Sequence, residues 1–389
     1  MNTSVIEQRI LIYSDNNDHI DRVVELCEAC ESGHLRIAVG RTPDQLADLF
    51  HHQDFALAFV DMENGVSNQL LDTIALRLSP KPTIALVDEG TAEALLGAMR
   101  NGADSVFTQV EMNEAPAQLV YCIERQLQRA SRIDDVNYLR DSLSISLEEL
   151  KADQIAAREI QERLLPDSER TVGDLSMAYA MQASMVLSGD FIDFIRLRDD
   201  KVLFYLADVS GHGASSALVT VLLKNVTNRV LRSYNNAKSE IPENPKALLE
   251  LFNRELLLTS LGKHLTIFVG VIDPSADLLD YAVGGHHPMP VLVEDGSARE
   301  LEGRGMPIGL FETPVFERHK IGLPAKFQLY LFSDGVLEVL GGDNLTEKEQ
   351  NLHALCEQEG QSPQAILETV TASYDALPDD VAVMMVSRQ

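Results

Sequence analysis

Short apolar runs alternate with amphipathic stretches along the first 125 residues. The amphipathic stretches carry apolar residues at helical spacing, and five apolar runs between them have the length of β-strands: RILIY (9–13), LRIAV (35–39), ALAFV (56–60), TIALV (83–87) and SVF (105–107). Strands that alternate with helices predict a parallel sheet with helices on both faces. Residues 1–125 are therefore predicted to form a doubly wound α/β domain.

A continuous helical pattern follows, from Ala115 to Pro166, and between Pro116 and Pro166 it contains no glycine and no proline. Apolar residues recur at heptad spacing along a seam: Val136, Leu143, Leu150, Ala157 and Leu164, with Leu139 and Ile160 between them. Because Ser146 and Asp153 interrupt the seam, it fits either a paired coiled coil or a helix packed on its own domain. We predict a helical linker at residues 126–166, ended by Pro166. We expect residues 130–165 to pair two chains in a homodimer.

The third part of the chain, residues 167–389, orders its elements differently. Helices are predicted at 214–234 and 245–260, the second capped by Asn244. Seven strands are predicted: 175–180, 191–197, 202–207, 265–272, 278–283, 328–332 and 381–386. The connection at 198–200 is too short for a parallel crossover, so its flanking strands must be antiparallel. This pattern predicts a sheet-rich, layered α/β domain.

Composition and charge limit the partners. A chain of 389 residues that is 45% hydrophobic can bury the cores of two or three domains. Its formal net charge is −28, whereas nucleic acids and anionic membranes are bound by clusters of Lys and Arg, so neither is an expected partner. The sequence shows no uninterrupted apolar run of 18 residues and no signal-peptide pattern at its start. We therefore expect no membrane span and a cytoplasmic location.

The four cysteines are too few for a disulfide framework. Cys27 and Cys30 form a C-x-x-C motif, which is compatible with a redox pair or half of a zinc site. Both also share helical spacing with Ile20 and Val23, and no second C-x-x-C motif is present. We interpret them as small residues on the buried face of a helix.

Acidic residues stand where apolar strands meet loops. In LFYLADVSGHG (203–213), an aspartate ends a strand and a glycine-rich turn follows. Three similar junctions recur around Asp208, the aspartate of this stretch: Asp190 in LSGDFIDF, Asp334 in LYLFSDGV, and Asp379 with Asp380 in LPDDVAVMMV. A lone acidic residue after a strand usually serves a turn or a helix cap. Four such junctions together indicate a site for divalent cations, which prefer oxygen ligands.

Residues 1–125 resemble the receiver domain of bacterial response regulators. The resemblance places Asp61 at the phosphoacceptor position. Several family residues are replaced: the acidic pair by Ser14 and Asp15, the hydroxyl residue after the fourth strand by Val87, and the Lys-Pro pair by Gln109 and Val110. We interpret this as a degenerate receiver that docks or dimerises and takes no stable phosphoryl group. Asp61 is then either a buried polar residue or a weak divalent-ion ligand together with Asp15.

The remainder of the chain resembles the SpoIIE-like branch of the metal-dependent PPM protein serine/threonine phosphatases. Seven motifs carry the resemblance in order: AREIQERLLP, LSGDFIDF, ADVSGHG, GGHHPMP, GMPIGL, FSDGV and PDDVAV. It implies an αββα sandwich at residues 167–389 that holds two Mn²⁺ or Mg²⁺ ions. It also implies the catalytic metal ligands Asp190, Asp208, Asp334 and Asp379, with the main-chain carbonyl of Val209. Whether Asp379 or Asp380 is the ligand stays open.

Two such ions about 3.5–4 Å apart activate a bridging water and clamp the phosphoryl oxygens for in-line attack. We take Asp208 as the bridging ligand. His212 and Ser210 are alternative candidates for a role in the loop beside it. We expect His286 and His287 to lie in a loop near the mouth of the site.

We therefore predict a phosphatase that hydrolyses phosphoserine or phosphothreonine on a small bacterial regulatory protein, such as an anti-anti-sigma factor, gated by the receiver-like domain and the dimeric helix. The order of domains also resembles RssB-like response regulators, so the alternative is an adaptor that binds a sigma factor and promotes its proteolysis. A two-metal nucleotide hydrolase is a third candidate, although the sequence lacks a glycine-rich phosphate loop.

Overall fold

The structure is a computed structural model that describes residues 8–31, 34–62, 68–88, 90–211, 213–358 and 360–388. The chain divides into two compact units, Met1–Leu147 and Glu148–Gln389. The predicted three-part division, with its borders at 125 and 166, stays a prediction. No helix in the described ranges is both long and apolar enough to cross a membrane.

The first unit alternates strands with helices, as predicted. Its elements are β1 (Gln8–Tyr13), α1 (Asn17–Glu28), β2 (Leu35–Gly40), α2 (Pro43–His52), β3 (Leu57–Asp61), α3 (Asn68–Leu78), β4 (Thr83–Val87), α4 (Ala92–Arg100), β5 (Ser105–Thr108) and α5 (Gln109–Glu114). All strand pairs are parallel, in the order β2-β1-β3-β4-β5. This confirms the doubly wound sheet.

Alternate residues of the buried strands supply two cores, one on each face of this sheet. Ile10 and Ile12 of β1 belong to one core, and Leu11 and Tyr13 belong to the other. The helix starts are capped by polar side chains, as when Thr42 accepts a hydrogen bond from the Gln45 amide. The alternation explains why the strands appear in the sequence as nearly continuous apolar runs.

A 47-residue helix, α6 (Pro116–Glu162), follows. Its first turns pack on the sheet through Leu119, Ile123, Leu127 and Ala130. Farther on, five seam residues are 55–64% exposed, namely Val136, Leu139, Leu143, Leu150 and Ile160, and Ala157 is partly buried. The helix ends four residues before Pro166, so Leu164 lies beyond it and packs against the core of the second unit. The assignment of Leu164 to the seam was therefore wrong. The prediction that Pro166 ends the helix was also wrong.

The second unit is a layered sandwich. Its strands are β6 (Glu169–Val172), β7 (Leu175–Gln182), β8 (Asp190–Arg196), β9 (Val202–Val209), β10 (Leu265–Asp273), β11 (Leu278–Gly284), β12 (Val291–Glu294), β13 (Ser297–Glu300), β14 (Arg318–Gly322), β15 (Phe327–Phe332) and β16 (Val381–Arg388). Its helices are α7 (Ala214–Asn235), α8 (Pro245–Leu258), α9 (Gly335–Val339), α10 (Leu345–Cys356) and α11 (Pro363–Thr371).

Two antiparallel sheets stack face to face. The five-stranded sheet has the order β14-β11-β10-β9-β8, and the six-stranded sheet has the order β13-β12-β15-β16-β7-β6. One core lies between the sheets, α7 and α8 cover the outer face of the five-stranded sheet, and α9 to α11 cover the other outer face. The expected αββα sandwich is therefore confirmed.

All seven predicted strands of this unit are present, and so are both predicted helices. The sequence analysis did not find β6, β12, β13, β14 or α9 to α11, which are short or only half-buried. At the predicted tight connection, Asp199 and Asp200 adopt φ values of 57° and 56°. Asn244 caps α8 by accepting a hydrogen bond from the Ala247 amide, as expected.

The cysteine pair of the first unit is structural. Cys27 is buried on α1, and burial raises its thiol pKa to about 12. Cys30 lies two residues beyond the end of α1, so its assignment to the helix was wrong, and burial raises its pKa to about 11. Thiols that resist ionisation are poor nucleophiles and poor metal ligands.

Candidate active site

The ends of two neighbouring strands bring two aspartates together. Asp190 begins β8, Asp208 stands one residue before the end of β9, and the two are direct partners in the antiparallel register. Ile192 and Leu206, which share their faces, belong to the core between the sheets. Two carboxylates that oppose each other across a strand pair repel when both are ionised.

The six-stranded sheet contributes carboxylates from two further strand ends. Asp334 follows β15 and precedes α9, and Asp379 and Asp380 precede β16. A Cβ added at Gly335 would lie 2.1 Å from the carbonyl oxygen of Asp380. Only glycine permits this close approach, so the FSDG turn is built to pack directly on the PDD turn.

Asp190 is the most isolated of these carboxylates. It is buried, and within the described residues neither of its side-chain oxygens has a hydrogen-bond partner. The nearby Ser333 hydroxyl donates to the carbonyl oxygen of Asp380 instead. Burial raises the pKa of Asp190 well above its usual range, and repulsion from Asp208 and Asp380 adds to the shift.

Asp208 is held near the middle of the cluster. Burial is the largest cause that raises its pKa, and a hydrogen bond and repulsion from Asp334 follow, with repulsion from Asp379 and Asp380 added. The pKa reaches about 8. Near neutral pH the cluster therefore retains protons that ordinary aspartates have lost.

Asp380 differs because both of its oxygens are occupied. Oδ1 accepts hydrogen bonds from the Ser184 amide at 2.7 Å and the Ser184 hydroxyl at 2.9 Å. Oδ2 accepts from the Ser188 hydroxyl at 2.9 Å and the Gly189 amide at 2.7 Å. Asp380 therefore orders the loop that leads into Asp190, which favours Asp379 as the ligand of the pair.

The same loop is held from its other side by Gln161, near the end of α6. Its side chain donates to the Ser188 carbonyl at 2.7 Å and accepts from the Ser188 amide at 3.2 Å. It also donates to the Thr220 hydroxyl at 3.1 Å. The sequence analysis missed this role, because Gln161 stands among charged residues in the AREIQERLLP motif and meets its partners only through tertiary packing.

The turn after β9 is held closely against the loop before β8. The Val209 amide donates to the Gly189 carbonyl at 3.2 Å, and a Cβ at Gly189 would lie 2.8 Å from the Val209 carbonyl oxygen. The Lys263 ammonium donates to the Ser210 carbonyl at 2.9 Å. His212 lies outside the described residues.

The two histidines of the GGHHPMP motif occupy different environments. His286 is buried, neither ring nitrogen has a partner in the described residues, and burial lowers its pKa to about 3. Both histidines lie in the connection between β11 and β12, and their expected place near the mouth of the site stays a prediction. His287 is about half exposed, and its Nε2 lies 3.7 Å from an oxygen of Glu349.

These residues fit a pair of hard divalent cations. In the described part of the chain, no three His, Cys, Asp or Glu side chains already stand as ligands around one point. The aspartates are close enough to raise one another's pKa, and Asp190 offers two buried oxygens without partners. Mg²⁺ uses few carboxylates and keeps several waters, so a set of this kind suits it.

Comparison with known proteins agrees with this geometry. The family described as "Stage II sporulation protein E (SpoIIE)" matches residues 198–389. We therefore call the second unit, Glu148–Gln389, the SpoIIE-type domain. The phosphoserine phosphatase RsbP of Bacillus subtilis (strain 168) is 28% identical over 183 residues, which cover 47% of this chain and 44% of RsbP. The phosphoserine phosphatase RsbU of the same strain is 23% identical over 235 residues, which cover 59% of this chain and 66% of RsbU.

A solved structure shares the fold of the SpoIIE-type domain. The SiaA-PP2C domain of Pseudomonas aeruginosa has a TM-score of 0.52 and 20% identity, over 62% of this chain and 97% of that domain. The chain spans less than half the length of RsbP and just under two thirds of RsbU.

The acidic site of the first unit is arranged differently from that of the SpoIIE-type domain. Asp61 ends β3 and is buried, and its Oδ2 accepts from the Ser14 hydroxyl at 2.6 Å. Nδ1 of buried His19 lies 2.9 Å from the same oxygen, and Nε2 of His19 lies 3.9 Å from Asp88. Sequence reasoning placed Asp61 correctly at a strand end but missed His19, which comes from α1 and has no counterpart in the receiver pattern described above.

Proposed function

We propose that this chain is a metal-dependent phosphatase that hydrolyses phosphoserine or phosphothreonine on a protein. The observation that carries the proposal is the opposition of Asp190 and Asp208 at the mouth of two stacked sheets, one with unpartnered buried oxygens and the other with a pKa of about 8. A folded protein bears such repulsion where a bound cation relieves it.

Asp190, Asp208, Asp334 and Asp379 would hold two divalent cations, Mn²⁺ or Mg²⁺, together with the main-chain carbonyl of Val209. Such ions supply an activated water and neutralise charge on the phosphoryl oxygens. Asp208 is the bridging ligand in this proposal, because it opposes Asp190 on its own sheet and because Asp334 and Asp379 of the other sheet raise its pKa. Asp190, Asp208, Asp334 and Asp379 are thus the proposed catalytic residues.

The remaining polar residues position the ligands. Asp380 and Gln161 form hydrogen bonds with the 184–189 loop and so fix the position of Asp190, which follows it. Gly189 leaves room for the Val209 carbonyl. Buried His286 is neutral at pH 7, so it does not serve as an imidazolium acid.

The proposed substrate is a small phosphorylated regulatory protein of bacteria, such as an anti-anti-sigma factor. RsbP and RsbU are both named phosphoserine phosphatases. The alternative is an RssB-like adaptor for a sigma factor. Binding a sigma factor does not require buried carboxylates that repel one another. The acidic site therefore favours hydrolysis.

A phosphate-release assay separates the two functions. The anti-anti-sigma protein of the same organism, phosphorylated on serine, should lose its phosphate with Mn²⁺ and keep it with EDTA. The variant Asp334→Ala, used as bait, should retain this phosphoprotein. Capture of a sigma factor and a protease, with or without metal and with no phosphate release, would instead establish the adaptor.

We propose further that α6 pairs two chains and that this pairing, with the receiver-like domain, gates the phosphatase. The support is the exposed apolar seam, which a monomer would leave in water. Replacing Leu143 and Leu150 with Glu should place like charges face to face and split the dimer. The control replaces Ile145 and Ile155 with Glu in the same way. These residues are 59% and 55% exposed but lie off the seam. Light scattering that gives a monomer for the unmodified chain, or a dimer for both double variants, would contradict the pairing.

A further inference from the structure

An apolar surface lies on two segments of the SpoIIE-type domain that the proposed chemistry does not use. Five side chains, 45–75% exposed, make up this surface, which we call the loop patch: Leu258, Leu261, Leu310, Phe311 and Val315. Soluble domains rarely leave large apolar side chains clustered in water unless something binds them.

The two segments are joined by polar contacts that fix their positions. Asn253 of α8 donates to the Phe311 carbonyl at 2.9 Å and accepts from the Gly309 amide at 2.8 Å. A Cβ at Gly309, whose φ is +87°, would lie 2.9 Å from the Lys263 carbonyl oxygen. The loop patch is therefore one surface on an ordered framework.

The strand register places the loop patch beside the candidate active site. Thr266 of β10 is the direct partner of Asp208, so the segment before β10, which includes Leu261, emerges at the same end of the sheet as Asp208. Ile308 forms a bridge with Leu265 and brings Leu310 and Phe311 to that end as well. Lys263, two residues from Leu261, contacts the Ser210 carbonyl of the turn after Asp208.

A recess of about 560 Å³ adjoins the loop patch at Leu258. Its walls come from α8 and the segment 312–314. Apolar lining comes from Leu257, Leu258 and Pro314, and polar lining comes from Glu250, Asn253, Arg254, Glu312 and Thr313. Beside the exposed side chains of the loop patch, this recess can take a partner side chain that has an apolar stem and a polar end.

We propose that the loop patch is the docking surface for the folded phosphoprotein substrate, which presents apolar side chains next to its phosphorylated residue. The inference rests on the proposed phosphatase function. A protein whose phosphoryl group reaches Asp208 must lie against the surface around this strand end, and the loop patch is on that surface. Docking there gives affinity and selectivity for a folded partner, while the acidic cluster acts on the phosphoryl group alone.

The test compares three substrates with Mn²⁺ present: p-nitrophenyl phosphate, a phosphoserine hexapeptide, and the folded serine-phosphorylated anti-anti-sigma protein of the same organism. The variants are Leu258→Gln and Phe311→Gln, chosen neutral so that the charge around the aspartates is unchanged. The matched control is Leu345→Gln, a 52% exposed leucine at the start of α10, which packs on the other sheet.

Each patch variant should raise KM for the folded phosphoprotein about tenfold. Turnover of p-nitrophenyl phosphate and the hexapeptide should stay within about twofold of the unmodified chain, and Leu345→Gln should behave like that chain on all three. An unchanged KM for the phosphoprotein, or an equal loss on all three substrates, would overturn the docking surface. A patch variant that changes the oligomeric state in light scattering would assign the patch to a second copy and overturn it too. No hydrolysis of any substrate by the unmodified chain would instead show that the proposed phosphatase function had failed, and the inference would fall with it.

Discussion

Both units of the chain have aspartates at strand ends, and the two sites differ in how the carboxylate oxygens are hydrogen-bonded. In the first unit, Oδ2 of Asp61 accepts from Ser14 and lies within hydrogen-bond distance of His19. In the SpoIIE-type domain, Asp190 faces Asp208 with no partner for its own oxygens among the described residues. The described residues supply hydrogen-bond partners to Asp61 and none to the side-chain oxygens of Asp190.

The comparison shows that the surroundings of a carboxylate decide its role. A buried acid that receives internal donors stabilises the fold, as Asp380 also does for the 184–189 loop. A buried acid that faces other acids has a raised pKa and gains stability when a cation arrives. By this criterion we propose that the first site is structural and that the second binds divalent cations.

The largest expected effect comes from removing the central carboxylate of the second site. Asp208→Asn should lower Mn²⁺-dependent hydrolysis of p-nitrophenyl phosphate by more than about 100-fold, which exceeds the usual effect of changes around metal ligands. Circular dichroism should show an unchanged fold. The matched variant Asp61→Asn should keep full activity. Activity retained by Asp208→Asn, with contaminating phosphatase excluded, would refute the two-metal mechanism.

A smaller effect is expected where a carboxylate supports the site without binding the ions. Asp380→Ala leaves four hydrogen-bond donors of the 184–189 loop without their acceptor. Asp190, which follows this loop, then loses its fixed position. We expect a loss of about 10–100-fold in hydrolysis and weaker apparent Mn²⁺ affinity. Asp380→Asn should be milder, because its amide oxygen can still accept. An effect of Asp380→Ala as large as that of Asp208→Asn would make Asp380 a ligand.

The smallest effect is expected at Asp61. Incubation of the full chain with acetyl phosphate and Mg²⁺ should give no phosphoryl adduct in the intact mass, since Ser14 and His19 already contact Asp61 and Gln109 replaces the lysine of working receivers. His19→Ala removes one of these contacts and serves as the comparison. An adduct that disappears in Asp61→Ala would show that the receiver works.

Strong periodic signals in the sequence predicted most of the fold. For strands with the clearest apolar runs, such as 83–87, the predicted bounds equal the observed ones. These strands are buried on both faces, so their sequences are almost entirely apolar. The helix around Leu164 was extended too far because heptad spacing continues past Glu162. Strands such as β14 are half-exposed, so their sequences carry no distinct run.

The candidate site was predicted less completely than the fold. The aspartates could be named because each follows or precedes an apolar strand. Gln161, Asp380 and His19 act through partners 27 to 196 residues away in sequence, such as Ser184 for Asp380 and Ser188 for Gln161. Such contacts depend on tertiary packing, and local pattern contains no trace of them.

We propose that Asp208 and its neighbours bind divalent cations, and the pKa of Asp208 then determines how the stability of the metal-free protein depends on pH. The pKa of Asp208 is about 8 in the folded state, above its value in the unfolded chain. Between about pH 4 and pH 8 the folded state therefore binds more protons than the unfolded state, so the metal-free protein loses stability as pH rises through this window. A cation that replaces the proton should stabilise the fold more at pH 8 than at pH 5.

Thermal unfolding with and without Mn²⁺, at pH 5 and pH 8, tests this directly in the unmodified chain, Asp208→Asn and Asp61→Asn. The unmodified chain and Asp61→Asn should gain at least about 2–4 °C from Mn²⁺ at pH 8, the shift that about 1 kcal/mol gives a domain of this size, and less at pH 5. Asp208→Asn should gain nothing and, without metal, should unfold at a higher temperature than the unmodified chain at pH 8. Equal Mn²⁺ stabilisation of all three proteins, or none in the unmodified chain, would contradict the assignment of this cluster as the metal site.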